Sequence, residues 1–156
     1  MNSPDAHGGP IRVGVVGTGP ITELFAAAVH EVDGIEIGAV YSRDAERGAD
    51  AARRLGAAAS VTTLEDLLAS DLVDAVYVAS PNGVHAEQCL RALTAGKHVL
   101  VEKPAVDSAA EWRRLTDVAR DRGIVLLEAM RTAYDPGTAL VRSLVPRIGR
   151  IRHANL

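Results

Sequence analysis

IRVGVVGTGPIT, residues 11–22, changes character halfway along. Val13, Val15 and Val16 are β-branched apolar residues, as a buried strand requires. Gly17-Thr18-Gly19 breaks that strand, and Pro20 suits the first position of a helix, where its missing N–H leaves nothing unsatisfied. Strand, glycine turn and helix start together describe a phosphate cradle. Gly17 allows a tight turn, and Gly19 lets backbone approach a pyrophosphate. The helix that follows presents free N–H groups and the positive end of its dipole. Gly17, Thr18, Gly19, Pro20 and Ile21 are therefore the first candidate cofactor-binding residues. The third position of the pattern, ordinarily Gly or Ala, is Thr22, and its branched side chain is expected to hold the helix slightly further from the strand.

Composition agrees with a nucleotide-binding α/β unit. The chain has 156 residues, enough for one domain with a real core. It is 47% apolar but only 3% aromatic, so its core is built from Val, Leu, Ile and Ala, as in proteins with buried parallel strands. The net charge is −3 with both signs interspersed, and the absence of a basic stripe argues against nucleic acid as a partner. One cysteine, Cys89, rules out an internal disulfide or a cysteine metal cluster. It is expected to be a core residue. The five histidines have no metal-ligand spacing, so no metal site is expected. His30 and His98 read as partly buried. The apolar runs are strand-sized and predict no membrane span. Residues 1–10 read as a loose polar leader without an apolar signal core. A cytoplasmic protein is the expectation.

Beyond the opening unit, strand-like and helix-like stretches alternate. Strands are expected at Arg12–Val16, Ile35–Tyr41, Ala58–Val61, Asp74–Ala79, His98–Glu102 and Ile124–Glu128. Helices are expected at Pro20–Val32, from Asp44 to Leu55 with Gly56 as stop, and from Thr63 to Ser70. Further helices should follow the Ser80–Gly83 turn to Ala95, run from Ser108 to Arg122, and run from Pro136 to Val145 after a loop, AMRTAYDPG. Arg150–Leu156 looks like the beginning of a seventh strand. Trp112 is expected to anchor its helix against the sheet. The fold predicted is a doubly wound parallel sheet in the order 3-2-1-4-5-6. Right-handed crossovers then bring the loops leaving strands 1, 2, 4, 5 and 6 to one edge.

The end of the second strand bears on which nucleotide binds. An NAD site usually carries Asp or Glu there to accept from the ribose 2′-hydroxyl. The sequence has Tyr41-Ser42-Arg43 instead, and a hydroxyl with a guanidinium suits a 2′-phosphate. NADP is therefore expected over NAD, with NAD still possible. The bland alternative makes Arg43 a solvated loop charge and Asp44 only a helix cap. Methyltransferases also use glycine loops after a first strand, but they usually place an acidic residue at the end of the second.

Three further motifs carry a family resemblance: Ser80-Pro81-Asn82-Gly83-Val84-His85 after strand four, Glu102-Lys103-Pro104 after strand five, and Glu128-Ala129-Met130-Arg131 with Tyr134-Asp135-Pro136 after strand six. With the glycine loop, they resemble the N-terminal Rossmann domain of the Gfo/Idh/MocA oxidoreductases, from about Ile11 to Leu156. The resemblance implies an enzyme that moves hydride between a nicotinamide cofactor and a sugar, polyol or dihydrodiol-like alcohol or ketone. Lys103 would be its active-site lysine and Glu102 would hold that lysine in place; both are the expected catalytic residues and would also touch cofactor. Pro104 would follow a cis peptide that aims Lys103 into the crevice. Asn82, Pro81 and Ser80 would lie near the nicotinamide and its ribose. Arg131 would face cofactor or substrate. His85 is read either as shaping the cofactor pocket or as a helix-start residue.

The resemblance also implies organisation. Residues 11–148 would be the NAD(P)-binding domain and 149–156 the opening of a second, substrate-binding α+β domain. That domain is otherwise missing from the sequence, leaving apolar surface that favours a homo-oligomer. The partner of the complete enzyme would be a small-molecule substrate. The alternative is a non-catalytic nucleotide-binding module, a sensor or partner subunit, which would have no use for Lys103.

Overall fold

A computed structural model of the protein describes residues 9–147, 149, 150, 152 and 153. The elements are β1 Ile11–Val16, α1 Pro20–His30, β2 Ile35–Tyr41, α2 Ala45–Leu55, β3 Ala59–Val61, α3 Leu64–Ala69 and β4 Ala75–Val78. They continue with α4 His85–Thr94, β5 His98–Val101, α5 Ala109–Asp121, β6 Leu126–Glu128, α6 Arg131–Tyr134 and α7 Pro136–Leu144. Short 3₁₀ turns at Asn82–Val84 and Val145–Arg147 precede α4 and follow α7. The strands pair in parallel in the order β3-β2-β1-β4-β5-β6, as expected.

The core explains the apolar strand sequences. Helices α1 and α2 cover one face, packing Ala26, Val29, Ala52 and Leu55 on Val13, Val15, Ile37, Val40 and Tyr77. Helices α3, α4 and α5 cover the other, packing Leu67, Cys89, Leu93 and Leu115 on Val16, Ala39, Val76, Val78, Val99 and Val101. Strands buried on both faces have no polar side to show, so they read as continuous apolar runs rather than alternating ones. Each fully buried Val or Leu contributes about 1.5–3 kcal/mol. Cys89 is fully buried, and burial pushes its thiol up to about 12, which makes it a core residue and a poor nucleophile. Trp112 is partly buried against the same cluster.

Helix starts follow the capping residues. Asp44 accepts from the Arg47 N–H, Thr63 from Asp66 and Ser108 from Glu111. Gly56 closes α2 in the left-handed region, φ 71°. At the N-terminal edge of the sheet, Arg12 forks onto Asp74, Nε to Oδ2 at 2.9 Å and Nη2 to Oδ1 at 2.8 Å, tying β1 to the approach of β4.

Several boundaries differ from expectation. α1 ends at His30, and β6 begins at Leu126 because Ile124 donates to the Ala119 carbonyl and so finishes the α5 turn. The expected loop before α7 contains α6, opened by Ala133 N–H donating to the Met130 carbonyl. His30 and His98, expected to be partly buried, are exposed. His98 lies at the start of β5, at the N-terminal edge of the sheet, where its Nδ1 accepts from Val125 N–H. The expected polar leader and seventh strand fall largely on residues 1–8, 151 and 154–156, outside the described residues. Among the described residues no helix is long and apolar enough to cross a membrane.

Candidate functional site

The glycine loop is shaped by its neighbour. Ala79 N–H donates to the Val16 carbonyl, which carries the β1–β4 pairing past the ends of both strands. Gly17 therefore runs directly against the chain leaving β4. Its φ is 123°, and a Cβ there would lie 2.5 Å from the Ala79 carbonyl oxygen, so only glycine fits. Gly19 is different. It caps α1 with ordinary extended backbone, and a Cβ would meet nothing within 4 Å. It borders open space at the helix start, as a residue that lets an anion approach should. Pro20 takes the first turn of α1, and Pro20 and Ile21 are exposed; Thr18 is half-buried. Thr22 is buried, and its hydroxyl donates to the Gly19 carbonyl at 2.7 Å, while its N–H reaches the same oxygen at 3.0 Å. The branched side chain thus satisfies its polar atom within the cradle.

After β2, adjacent residues part company. Ser42 is buried beneath α2: its N–H donates to the Val61 carbonyl, its Oγ accepts from Asp44 N–H at 3.3 Å, and Gly48 gives it room. Arg43 is exposed. Asp44 spends its carboxylate on the Arg47 N–H, 3.0 Å away, as the cap of α2. The acidic side chain nearest the β2 end is thus committed to backbone.

The loops after β4, β5 and β6 lie side by side. Glu102 N–H donates to the Val78 carbonyl and Ala129 N–H to the Val101 carbonyl, extending the ladder beyond the strands. Ser80 Oγ donates to Gln88 Oε1, and Pro81 and Asn82 are exposed on the 3₁₀ turn. His85 is wholly buried, its Nδ1 3.0 Å from the Pro104 carbonyl oxygen and its Nε2 2.8 Å from that of Ser80. The ring lies under the two loops and can shape the crevice only through them. Lys103 is exposed at the loop tip, before a cis bond to Pro104. Glu102 meets it at the backbone: Oε2 accepts from Lys103 N–H at 3.3 Å. Arg131 opens α6 and is exposed, as is Tyr134.

Tyr77 and Phe25 escaped the sequence reading, and Glu128 stood in a motif there without a role of its own. Tyr77 donates its hydroxyl to Glu102 Oε1 at 2.8 Å and stacks on Phe25 of α1, ring centroids 4.0 Å apart. Burial, then the bond to Glu102, holds the Tyr77 hydroxyl well above the ordinary tyrosine range, so it stays a donor. Glu128 Oε1 accepts from Ala105 N–H at 2.9 Å. A signal existed for Tyr77: a lone tyrosine in an otherwise aliphatic strand needs a partner for its hydroxyl.

The Ser42–Arg43, Gly17–Gly19, Ser80–Asn82, Glu102–Pro104 and Glu128–Arg131 loops thus leave one edge of the sheet in that order. The change of winding direction falls between β1 and β4, where sheets of this kind open a crevice for ligands.

Comparison with known proteins gives a consistent picture. The model of an oxidoreductase family with an NAD-binding Rossmann fold, Gfo/Idh/MocA, matches residues 11–130. The chain is 38% identical over 142 residues to scyllo-inositol 2-dehydrogenase (NADP(+)) of Bacillus subtilis, covering 91% of this chain and 43% of that one. Among solved structures, a 3-ketoreductase from Actinomadura kijaniata in complex with NADP and TDP-benzene superposes with a TM-score of 0.83 at 38% identity, over 88% of this chain and 42% of that one. GenD2 from gentamicin A biosynthesis, in complex with NAD, gives 0.81 at 34% identity over 87% of this chain and 39% of that one. The chain therefore spans less than half the length of these relatives.

Proposed function

The chain belongs to the Gfo/Idh/MocA oxidoreductase family, and we propose that it is the NADP(H)-binding part of an enzyme that moves hydride to or from a sugar, polyol or dihydrodiol-like carbonyl or alcohol. The observation that carries this reading is the convergence of the glycine cradle and the lysine loop on one sheet edge, joined through the backbone of β4. The fit to a dinucleotide rests on the cradle itself. Gly17 has no room for a side chain and Gly19 faces open space at the start of α1. A pyrophosphate there would accept from backbone N–H groups at the positive end of the helix. The exposed Arg43 guanidinium would take the 2′-phosphate, in keeping with relatives whose names specify NADP. Ser42, turned inward, would act by holding that loop in shape.

Bound at this edge, NADPH would supply the hydride. Lys103 would set its ammonium beside the substrate oxygen, stabilise the negative charge that develops there and pass it a proton. Glu102 would fix the lysine's backbone, with Tyr77 fixing Glu102. Asn82, Pro81 and Ser80 would border the nicotinamide and its ribose, and Arg131 would reach the substrate side. The same reading has residues 11–148 as the nucleotide-binding domain, 149–156 as the opening of a substrate domain, self-association as the protein's assembly and the cytoplasm as its location.

The test is a titration of the ¹⁵N-labelled chain with NADPH. Backbone shifts are expected at Gly19, Arg43, Asn82 and Lys103. Silence at all four would sink the reading. Shifts at Gly19 and Arg43 with none at Asn82 or Lys103 would favour a nucleotide-binding module without hydride chemistry.

A further inference from the structure

The loop that carries Lys103 is held at three successive backbone groups, each by a side chain. Glu102 Oε2 accepts from the Lys103 N–H, His85 Nδ1 meets the Pro104 carbonyl, and Glu128 Oε1 accepts from the Ala105 N–H. The last two side chains come from different elements, α4 and the end of β6. We propose that His85 and Glu128 are positioning residues that act through this backbone to place the Lys103 ammonium before any ligand arrives. The proposal rests on Lys103 as the group that faces the nicotinamide.

The chemistry at each contact supports a dedicated clamp. Glu128 is an acceptor that reaches a backbone donor outside regular structure; Ala105 itself is buried, so its N–H has little access to water. A buried N–H without a partner is costly, and a charge-assisted bond is the strongest ready solution. His85 bridges two carbonyls, of Pro104 and Ser80, and so ties the lysine loop to the loop bearing Asn82. Carbonyl oxygens only accept, so a ring protonated on both nitrogens satisfies both contacts and a neutral ring satisfies one. An exposed lysine on an unrestrained loop would have to be ordered at the moment of reaction. A clamped one meets that entropy cost during folding, which is how positioning accelerates chemistry.

The experiment uses the chain itself. Glu128→Ala removes the acceptor, Glu128→Gln keeps an oxygen at the same reach, and His85→Phe removes both ring contacts. Amide hydrogen exchange at Ala105 should speed up about tenfold or more in Glu128→Ala and stay near wild type in Glu128→Gln. Affinities for NADPH and for adenosine 2′,5′-bisphosphate, which lacks the nicotinamide end, separate loop placement from general damage. Glu128→Ala and His85→Phe should weaken NADPH about threefold or more and leave the bisphosphate unchanged, and neither should weaken NADPH further once Lys103→Ala is present. Equal losses for both ligands, or losses that add fully to Lys103→Ala, would overturn the proposal. So would unchanged Ala105 exchange in Glu128→Ala, a readout that needs no nucleotide and stands even if His85→Phe fails to fold. A wild-type chain that binds neither ligand would refute the functional reading instead, with exchange still deciding the clamp.

Discussion

Gly17 and Gly19 are two positions apart and are needed for different reasons, which mutation can separate. Alanine at Gly17 would meet the Ala79 carbonyl at 2.5 Å from a backbone φ of 123°, so Gly17→Ala should lose stability and with it every binding activity. Alanine at Gly19 has ordinary backbone angles and open space, so Gly19→Ala should keep the wild-type Tm while weakening NADPH, because the new methyl occupies ground that a pyrophosphate needs. Thermal melts with parallel NADPH titrations check both. A Gly19→Ala chain that binds NADPH at full strength would contradict the cradle. The neighbouring pair Ser42 and Arg43 divides in the same way. A charge-assisted contact is worth about 1.5–3 kcal/mol, so Arg43→Ala should cut the NADPH-over-NADH preference about tenfold to a hundredfold and leave NADH affinity alone. Ser42→Ala should hardly alter that preference, since its hydroxyl serves Asp44 N–H. If Arg43→Ala keeps the wild-type ratio, the 2′-phosphate assignment is wrong. The sequence made Arg43 legible because a guanidinium at the second strand end is a chemical statement in itself. It could not show that Ser42 faces inward, since that depends on Gly48 of α2 leaving space for it.

Element identities were legible wherever a side chain both ends one structure and begins another. Asp44, Thr63 and Ser108 each sit before an apolar helical pattern, and each accepts the N–H expected of it. Replacing any one with alanine should cost about 1 kcal/mol by chemical denaturation, and the three losses should add, because the caps lie on separate helices. Strands β1 and β2 were equally plain, being apolar on both faces. The short helix α6 was not, because four residues between a strand and a proline carry no periodicity. Gly38 was also silent in the sequence. It reads as a small residue in a strand, yet a Cβ there would lie 1.8 Å from the Leu72 carbonyl oxygen. The chain before β4 crosses so close to β2 that only glycine lets it pass. Links between elements are harder still to read. Phe25 on Tyr77, and Tyr77 on Glu102, connect the helix of the glycine loop to the strand of the lysine loop through three elements distant in sequence.

The molecule taken whole obeys a simple rule: parallel strands with right-handed crossovers send every functional loop to one edge. That rule brings motifs scattered from Gly17 to Arg131 to one place, and it is legible from the order of elements alone. Surface coverage does not follow from it. β6 is the last strand of the sheet; Val125, just before it, and Leu127, within it, are 49% and 45% exposed. Helix α7 buries none of its residues, and Leu140, Val141 and Leu144 are all exposed along it. Burying one such leucine is worth about 1.5–3 kcal/mol, so a few brought together by a second copy would offset much of the cost of association. The chain on its own should therefore sediment as a concentration-dependent mixture of monomer and dimer. Leu127→Lys, which alters an exposed side chain on the edge strand, should shift it towards monomer without lowering the Tm by more than a degree or so, and Leu140→Lys should do the same for α7. The two substitutions also distinguish which face associates. If only Leu140→Lys dissolves the dimer, α7 forms the contact and the β6 face lies free; if neither does, self-association through these apolar faces is wrong.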